Sequence, residues 1–491
     1  MALLESRTSS MKHTSPFSNR RRKGKYSAFV LVVSVVLFCT FVYDGDVQSV
    51  AEYDFGSGAN PSGIAHQEFA VAEASRKEDH EAKRRTETSE GDMVQEQPTA
   101  PGIAKEDVVR VMESPVATGA VHEEAAKEAE RQPRVVLDVP ESCDLFTGRW
   151  VYDDVSYPIY EEQECQFLTE QVTCMRNGRR EDSYQKWRWQ PQDCSLPRRF
   201  DARVMLERLQ GRRLMFVGDS LNRNQWESMV CLVQSAVPWN KKTLTKNGSL
   251  NVFRIEEYNA TVEFYWAPFL VESNSDDPRM HSIRNRIIDP KSIAKHGKHW
   301  KNVDYLVFNT YIWWMNTPTM KVLRGSTEYE EVERASAYRR VLNAWAKWVH
   351  KNVDPNRAMV FFMSMSPNHI RSTDWGNPDG IKCALETQPV ANISRPLDVG
   401  TDWLLFAVAE NVIRRMKKVP VSFVKITALS EYRKDAHTSV HTLRQGNLLT
   451  AEQQADAATY ADCIHWCLPG LPDTWNELLY ARITSSPWRD D

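Results

Sequence analysis

Residues 213–228 read Arg-Leu-Met-Phe-Val-Gly-Asp-Ser-Leu-Asn-Arg-Asn-Gln-Trp-Glu-Ser. The apolar run Leu214–Val217 ends at a glycine and predicts a buried strand, and Leu221–Val233 predicts a helix directly after it. A serine in such a turn lies at the carboxyl end of a sheet, beside the free N–H groups of a helix N-terminus. Ser220 is therefore a candidate nucleophile. The alternative is that Ser220, or Asp219 before it, only caps the helix.

Three further apolar runs predict parallel strands of the same sheet, and they are Tyr305–Phe308, Met359–Met363 and Val421–Ile426. Helical patterns at about Tyr329–Val349 and Asp402–Lys417 lie between them. Strands that alternate with helices predict a doubly wound parallel α/β sheet, in which ligands bind at the carboxyl ends of the strands.

A serine hydroxyl is a weak nucleophile unless a base accepts its proton and a third group orients that base. Asp462 and His465 are close enough in sequence to meet within one turn of chain, and they predict the rest of a Ser-His-Asp triad. We interpret His369 as a structural histidine. For Arg223, one helical turn beyond Ser220, the alternative to a role in the site is a surface or ion-paired arginine. The residues expected to support the site and a developing oxyanion, with backbone N–H groups near Ser220, are Gly218, Asp219, Arg223 and Asn309.

The 491 residues carry 62 Lys and Arg against 65 Asp and Glu, so the net charge of −3 gives no basic excess that would favour nucleic acid. Hydrophobic residues make up 42% and charged residues 26%, which excludes a wholly disordered chain. All 16 tryptophans lie between Trp150 and Trp488, and eight of the nine cysteines lie between Cys143 and Cys467. Because a packed core uses these residue types, the folded part is predicted to begin near residue 140.

The first 142 residues predict a membrane anchor and a tether. Residues 1–25 form a basic tail, and residues 26–43 are apolar, long enough to cross a bilayer as one helix. The basic residues before this span predict a cytoplasmic N-terminus and hence a single-pass type II topology. Residues 44–142 contain 22 acidic and 10 basic residues with neither Cys nor Trp, which predicts a disordered luminal stem.

Eight cysteines remain after Cys39 of the predicted span is set aside, an even number that suits four disulfides in an oxidising compartment. Their pairing is left open, and they are Cys143, Cys165, Cys174, Cys194, Cys231, Cys383, Cys463 and Cys467. A zinc site around Cys463, His465 and Cys467 is the weaker alternative, and no metal is expected. Residues 143–197 form a Cys- and Trp-rich module before a catalytic domain at 198–491. The candidate glycosylation sites are Asn247, Asn259 and Asn392.

Two longer blocks carry a resemblance. The sequence Gly-Asp-Ser-Leu-Asn-Arg-Asn-Gln-Trp-Glu-Ser at 218–228 and Asp-Cys-Ile-His-Trp-Cys-Leu-Pro-Gly-Leu-Pro-Asp-Thr-Trp-Asn at 462–476 resemble the signature blocks of the plant trichome birefringence-like family. Residues 143–194 resemble its N-terminal Cys-rich module. The resemblance implies a Golgi polysaccharide O-acetyltransferase with an SGNH-hydrolase-like α/β core and a serine nucleophile. One departure is that Phe308-Asn-Thr stands where hydrolase-type SGNH proteins have Gly-x-Asn, and this departure concerns the oxyanion role of Asn309 rather than the triad.

Residues 308–315, Phe-Asn-Thr-Tyr-Ile-Trp-Trp-Met, are similar to the xylan-acetylating branch of the family. This implies transfer of acetyl groups to O-2 or O-3 of xylosyl residues in the Golgi lumen, by a double displacement through an acetyl-enzyme. The acetyl donor is left open between acetyl-CoA and a membrane-delivered carrier, which would make an acetyl-donor membrane protein a partner. Four aromatic residues that follow strand ends are candidates for a sugar-binding groove, and they are Tyr311, Trp313, Trp314 and Trp375.

Three alternatives remain from the sequence. A luminal carbohydrate esterase would use the same triad, because hydrolysis differs from transfer only in the access of water. An acetyltransferase for another wall polysaccharide, such as mannan, xyloglucan or pectin, would share every motif. A non-catalytic wall-polysaccharide-binding protein would keep the fold without needing Ser220.

Overall fold

The computed structural model describes residues 139–485 except 141, 195, 197–199, 282, 284, 326, 392–396 and 445. The predicted cytoplasmic tail, the membrane span, nearly all of the stem and the sequon at Asn392 lie outside the described residues. None of the helices within the described part of the chain is both long enough and apolar enough to cross a membrane.

Short strands and helices alternate along the described chain. In chain order the strands are β1 (Gly148–Tyr152), β2 (Trp187–Pro191), β3 (Arg213–Gly218), β4 (Lys242–Asn247), β5 (Leu250–Ile255), β6 (Ala260–Trp266), β7 (Glu272–Ser273), β8 (Ile287–Asp289), β9 (Tyr305–Phe308), β10 (Thr319–Arg324), β11 (Glu328–Glu333), β12 (Met359–Met363), β13 (Val421–Val424), β14 (His437–Ser439), β15 (Leu443–Arg444), β16 (Asn447–Leu448) and β17 (Asp462–Trp466). The α-helices are α1 (Ala202–Arg208), α2 (Ser220–Gln234), α3 (Ala294–Trp300), α4 (Arg334–Asn352), α5 (Trp403–Arg414), α6 (Thr427–Glu431), α7 (Ala451–Ala455), α8 (Ala457–Tyr460) and α9 (Leu471–Ser485).

The core is a seven-stranded sheet in the order β13-β12-β9-β3-β6-β5-β4. The first five strands are parallel to one another, and β5 and β4 add an antiparallel hairpin at one edge. The predicted parallel α/β sheet is therefore confirmed, with β9 and β12 at their predicted bounds and β13 two residues shorter. The carboxyl ends of β3 and β9 are neighbours, which brings the turn at Ser220 next to Asn309.

Strand β6 and the start of α4 differ from the sequence prediction. All seven residues of β6 are buried, including Glu263. Its carboxylate can be buried because Arg213, on the neighbouring strand β3, forms an ion pair with it at an N–O distance of 2.7 Å. Residues 329–333, predicted as the start of a helix, instead belong to β11, which pairs with β10. The helix begins only after Glu333, whose carboxylate caps it by accepting the N–H groups of Ala335 and Ser336.

Helices cover the sheet on both faces. On one face Trp345 of α4 makes edge-on contacts with Phe308 and Phe362, whose ring centroids lie 5.4 and 5.0 Å away. On the other face Trp226 of α2 packs on Phe264 at 6.0 Å. Both helix layers are expected, because strands with apolar side chains on both faces of the sheet must be covered on each face.

The N-terminal module is tied to the α/β core rather than only to itself. The Cys143–Cys194 disulfide lies within the module, and Cys383–Cys463 lies within the core. The other two disulfides, Cys165–Cys231 and Cys174–Cys467, join the module to the core. The sequence left the pairing of the eight cysteines open, and the structure pairs two of the module's four cysteines with the core.

Truncating an aromatic ring between the sheet and α4 should destabilise the fold. Phe362 is fully buried against Trp345, so Phe362→Ala should reduce the free energy of unfolding by about 3–5 kcal/mol through lost burial and a cavity. Thermal unfolding of the two proteins measures this change. Val155→Ala, at a side chain that is 93% exposed, is the control and should leave the midpoint unchanged. A midpoint for Phe362→Ala equal to that of the wild type would contradict the packing described.

Candidate active site

Three side chains from distant parts of the chain form a linear hydrogen-bonded array. Ser220, the first residue of α2, is partly exposed, and its Oγ lies 2.8 Å from His465 Nε2. The other ring nitrogen of His465, Nδ1, lies 2.7 Å from Asp462 Oδ2. With Nδ1–H donating to the carboxylate, Nε2 is the acceptor for the serine hydroxyl. This is the arrangement that activates a serine nucleophile.

Asp462 and His465 meet through an irregular strand, not through a helical turn. Both lie in β17, which pairs with β14 so that three residues of β14 span five of β17, with a shift of register between His437 and Ser439. In a regular strand residues three apart face opposite sides. Here Asp462 Oδ1 accepts the N–H groups of Ile464 and His465 at 3.0 and 3.1 Å, which curls the strand. The irregularity lets the carboxylate reach the imidazole.

The charges of the pair support each other. Burial acts to lower the pKa of His465, but the Asp462 carboxylate outweighs burial and raises it. Burial acts in turn to raise the pKa of Asp462. The positive charge of protonated His465 and the hydrogen bonds from the ring and the backbone outweigh that effect and hold the pKa well below its usual value. Asp462 is therefore ionised whenever His465 takes up a proton.

The turn before Ser220 is fixed by Asp219 and Gly218. Asp219 is fully buried and caps α2 by accepting Leu221 N–H at 3.0 Å, while its other oxygen accepts Tyr311 N–H at 3.2 Å. Burial raises its pKa, and the backbone N–H groups around it oppose that rise. A Cβ on Gly218 would lie 2.3 Å from the carbonyl oxygen of Asn309, so only glycine allows β3 and β9 to approach this closely.

Two further predicted supports have different surroundings. Asn309 is buried beside Gly218. Its side-chain oxygen Oδ1 has no hydrogen-bond partner within the described residues, so no hydrogen bond to that atom holds the amide in place. Arg223 donates to Gln171 Oε1 at 2.6 Å, and its Nε lies 3.7 Å from Glu227 Oε1. The paired-arginine alternative therefore describes Arg223, although its charge still acts to lower the pKa of His465. The oxyanion roles of both residues remain predictions.

The predicted sugar groove is corrected for three of its four residues. Tyr311, Trp313 and Trp314 are at most 3% exposed, so their rings pack in the core and cannot stack on a sugar. The Tyr311 hydroxyl accepts Asp402 N–H at 2.8 Å, and Trp313 stacks under the Arg286 guanidinium at 4.0 Å. Trp375 is only half-buried, with its Nε1 donating to Glu386 at 2.8 Å, and its role in a groove remains a prediction.

Sequence reasoning missed the groups that hold β17 against α2. Asn224 of α2 accepts Trp466 N–H at 2.9 Å and donates to Trp466 O at 3.2 Å, a two-point bond directly after His465. His437 of β14 lies with Nδ1 3.0 Å from the carbonyl oxygen of His465. The available signal for Asn224 was the run of polar residues 222–225 in a helix that the structure buries almost completely. His437 had no such signal.

The cysteines around His465 are in disulfides. Cys463 pairs with Cys383, and Cys467 pairs with Cys174, so neither sulfur is a free thiolate for a metal. The zinc alternative at this segment is therefore not supported. Asn247 and Asn259 are exposed, as a glycosylation acceptor must be.

Comparison with known proteins agrees with this site. A sequence profile of the GDSL/SGNH-like acyl-esterase family found in Pmr5 and Cas1p matches residues 196–482, more than half of the chain, and the Pmr5 N-terminal domain matches residues 141–195. The chain belongs to this family. The resemblance to trichome birefringence-like proteins is confirmed, since protein trichome birefringence-like 3 of Arabidopsis thaliana is 47% identical over 349 residues, 70% of this chain and 80% of that protein.

Relatives in this family include proteins with a named activity. Xylan O-acetyltransferase 6 of Oryza sativa subsp. japonica is 68% identical over 366 residues, which are 73% of this chain and 65% of that protein. Xylan O-acetyltransferase 2 of the same species is 65% identical over 356 residues, 72% of this chain and 71% of that protein. The chain thus spans slightly less than two thirds of the length of the first of these relatives.

Adding one methyl group at Gly218 should separate the two strand ends. Gly218→Ala places Cβ against Asn309 O, and because backbone atoms cannot yield cheaply, we expect a lower melting temperature and a displaced Ser220. A displacement of about 1 Å reduces turnover by about 10²-fold. Gly211→Ala is the control for turnover: its φ of +70° strains an alanine and lowers stability, but no atom lies within 4 Å of the added Cβ, so Ser220 should stay in place and turnover should be unchanged. Equal turnover in Gly218→Ala and wild type would show that the close approach is unimportant.

The pH dependence of turnover should report the raised pKa of His465. Because the imidazole must be neutral to accept the serine proton, kcat/KM should fall as pH drops through a pKa above the usual value of about 6.5. In Asp462→Asn the supporting charge is lost, so this acid limb should move to lower pH while the maximal rate falls about 10⁴-fold. Asp379→Asn, at an exposed carboxylate, should match the wild type. An unshifted acid limb in Asp462→Asn would assign the limb to another group.

Proposed function

We propose that this protein is a serine O-acetyltransferase that transfers acetyl groups to O-2 or O-3 of xylosyl residues of xylan. The observation that carries the proposal is the Ser220–His465–Asp462 array with its two short hydrogen bonds. Membership of an acyl-esterase family supports the reaction class, and relatives named xylan O-acetyltransferases support xylan as the acceptor. Ser220 and His465, the nucleophile and the base of the array, are both partly exposed, as residues that must meet a donor and an acceptor need to be.

The reaction takes place in two steps at Ser220. His465 Nε2 takes the hydroxyl proton as Oγ bonds to the acetyl carbonyl carbon of the donor, and the donor's leaving group departs with that proton. A xylosyl hydroxyl then gives its proton to His465 and attacks the acetyl-enzyme, and Ser220 Oγ leaves and regains the proton. Asp462 stabilises the imidazolium in both steps. Acetyl-CoA and a membrane-delivered acetyl carrier both fit this scheme as donors.

The oxyanion of each tetrahedral intermediate needs hydrogen-bond donors near Ser220. Ser220 opens α2, and the first N–H groups of a helix have no acceptor within the helix. Asp219 occupies the N–H of Leu221, so the N–H of Ser220 itself is the main-chain candidate. The buried amide of Asn309 is the side-chain candidate.

The proposed location rests on features of the sequence. A basic tail, an apolar span at 26–43 and a long acidic stem suit a single-pass type II protein of the Golgi membrane with its catalytic domain in the lumen. Four disulfides suit an oxidising lumen, and the exposed Asn247 and Asn259 suit glycosylation there.

A luminal esterase is the second candidate, because the same array hydrolyses an ester whenever water reaches the acetyl-enzyme before a sugar does. The two functions differ in whether water or a sugar hydroxyl attacks the acetyl-enzyme. Measuring acetate release and acetyl transfer in the same reaction separates them.

Replacing the nucleophile should abolish transfer. The full-length protein and its Ser220→Ala variant would be incubated with unacetylated xylo-oligosaccharides and acetyl-CoA, and products read by mass spectrometry as additions of one acetyl group. We expect Ser220→Ala to lower the rate by about 10⁴-fold or more. Ser235→Ala, at the exposed far end of the same helix, is the control and should be fully active.

Each outcome has a distinct meaning. Acetate release without acetylated sugar from the wild type would favour the esterase. Acetylation of manno-oligosaccharides in preference to xylo-oligosaccharides would show that mannan, rather than xylan, is the acceptor. Equal polymer binding by both proteins with no chemistry from either would overturn the catalytic proposal.

A further inference from the structure

Two buried histidines lie directly behind the catalytic strand. His369 and His437 are at most 1% exposed, and His369 Nδ1 lies 2.7 Å from His437 Nε2. At the two outer ends, His437 Nδ1 lies 3.0 Å from the carbonyl oxygen of His465, and His369 Nε2 lies 2.9 Å from the carbonyl oxygen of Glu431. The two rings thus bridge the backbone of α6 to the backbone of the catalytic histidine.

The three hydrogen bonds of this bridge fix how many protons the two rings carry. A carbonyl oxygen only accepts hydrogen bonds, so both outer ring nitrogens must carry a proton. The inner contact of 2.7 Å between His369 and His437 needs a third proton, on either nitrogen. Two neutral imidazoles carry two N–H protons in all. The three hydrogen bonds therefore require one proton more than a neutral pair holds.

We propose that His369 and His437 share one extra proton and form a singly charged imidazole–imidazolium pair that positions His465. The proposal rests on the proposed function, because His465 is the base of that reaction. Both histidines are positioning residues, since the bridge reaches the main chain of His465 and leaves its ring free for Ser220 and Asp462. With a neutral pair, two lone pairs would face each other at the inner contact, and one of the three bonds would be lost.

The surroundings of the pair oppose and support the charge in different ways. Burial has the largest effect on both rings, and it lowers the pKa of His369 to about 4 and the pKa of His437 well below its usual value, whereas the hydrogen bonds to the carbonyl groups of Glu431 and His465 act to raise both. The extra proton is therefore placed by the geometry of the three simultaneous hydrogen bonds, against the effect of burial. The His437 ring stacks on the Trp466 indole at 3.7 Å, a face that attracts a cation. The charged and titratable groups that act on the pair or contact its segments are Arg179, Glu386, Glu431, Arg433, Lys434, Asp435, Asp462 and His465.

Those groups contain no large excess of positive charge. Arg433 binds Asp435 at 3.0 Å, and Lys434 pairs with Glu386, so each cation near the pair has its own carboxylate. The carboxyl of Glu431 is held neutral at physiological pH, because burial raises its pKa to about 9. The negative charge of Asp462 then acts on His437 in favour of the cation. A second proton on the pair is excluded by repulsion between the two rings.

The pair should give turnover an upper pH limit. Rising pH through the pKa of the pair removes the shared proton, breaks one of the three bonds and loosens the strand that carries His465. A limb on the alkaline side requires the inner hydrogen bond to outweigh burial and to hold the pKa of the pair above that of His465. This alkaline limb is separate from the acid limb that the titration of His465 itself produces. Turnover would therefore have a bell-shaped dependence on pH.

The decisive measurement is a count of ring protons in the full-length protein. With ¹⁵N-labelled histidine, ¹⁵N and ¹H spectra should show three N–H protons on the pair, one of them far downfield because the two nitrogens share it. Spectra of His369→Asn and His437→Asn assign the signals. Only two ring protons between about pH 5 and pH 8, where an ordinary imidazole titrates, would overturn the proposal.

A conservative variant separates the shared proton from simple packing. In His369→Asn the amide N–H can donate to His437 Nε2, so a neutral His437 keeps its bond to His465. We expect this variant to retain turnover within about tenfold near neutral pH and to lose the alkaline limb. His437→Leu removes the bond to His465 and should lower kcat by about 10²-fold through misplacement of the base. His350→Asn, at an exposed helix end, is the control.

The outcomes distinguish this proposal from the proposed function. The proton count does not depend on activity, and the Ser220→Ala protein should give the same three signals. Three signals without any acetyl transfer would leave the pair standing and overturn the function. An unchanged alkaline limb in a folded His369→Asn protein would assign that limb elsewhere and remove the positioning role.

Discussion

The hydrogen bond between Ser220 and His465 joins two residues that are 245 positions apart in the chain, and most features of the molecule make that contact possible. The serine is placed by the central sheet and by the buried carboxylate of Asp219. The histidine lies outside that sheet, on a short strand with an irregular register. Because a two-stranded ribbon has little stability of its own, this strand depends on what holds it from outside. Asn224 holds it from α2, and His437 holds it from β14.

Much of the architecture could be predicted from the sequence because the parallel strands are short, apolar and followed by recognisable turns. The bounds of β9 and β12 came directly from their hydrophobic runs. Strand β6 was not predicted, because Glu263 suggests a surface position unless its ion pair with Arg213 is known. Strand β11, before α4, was predicted as helix, because its glutamates are equally common in helices. In both cases the deciding partner is distant in sequence, and a local pattern does not contain it.

The triad was predictable for a different reason from its supports. Nucleophile, base and carboxylate have a fixed chemistry and recognisable spacing, so the residue types alone suggest them. Tryptophans carry no such information, since the same ring serves a core or a sugar site. Burial decided against Trp313 and Trp314, and only the folded chain reveals burial. The histidine pair was hidden for the same reason, because 68 residues separate its members.

The disulfide between Cys174 and Cys467 closes a loop with a sequence separation of 293. Its second cysteine lies two residues beyond His465, and the partner of Cys383 lies two residues before it. During synthesis the serine and most of the sheet emerge long before this segment does. The nascent chain therefore holds Ser220 without its partner histidine until residue 465 has been made. The contact between Ser220 and His465 therefore depends on a segment that is made 245 residues after the serine and that is fastened on both sides of the histidine by disulfides.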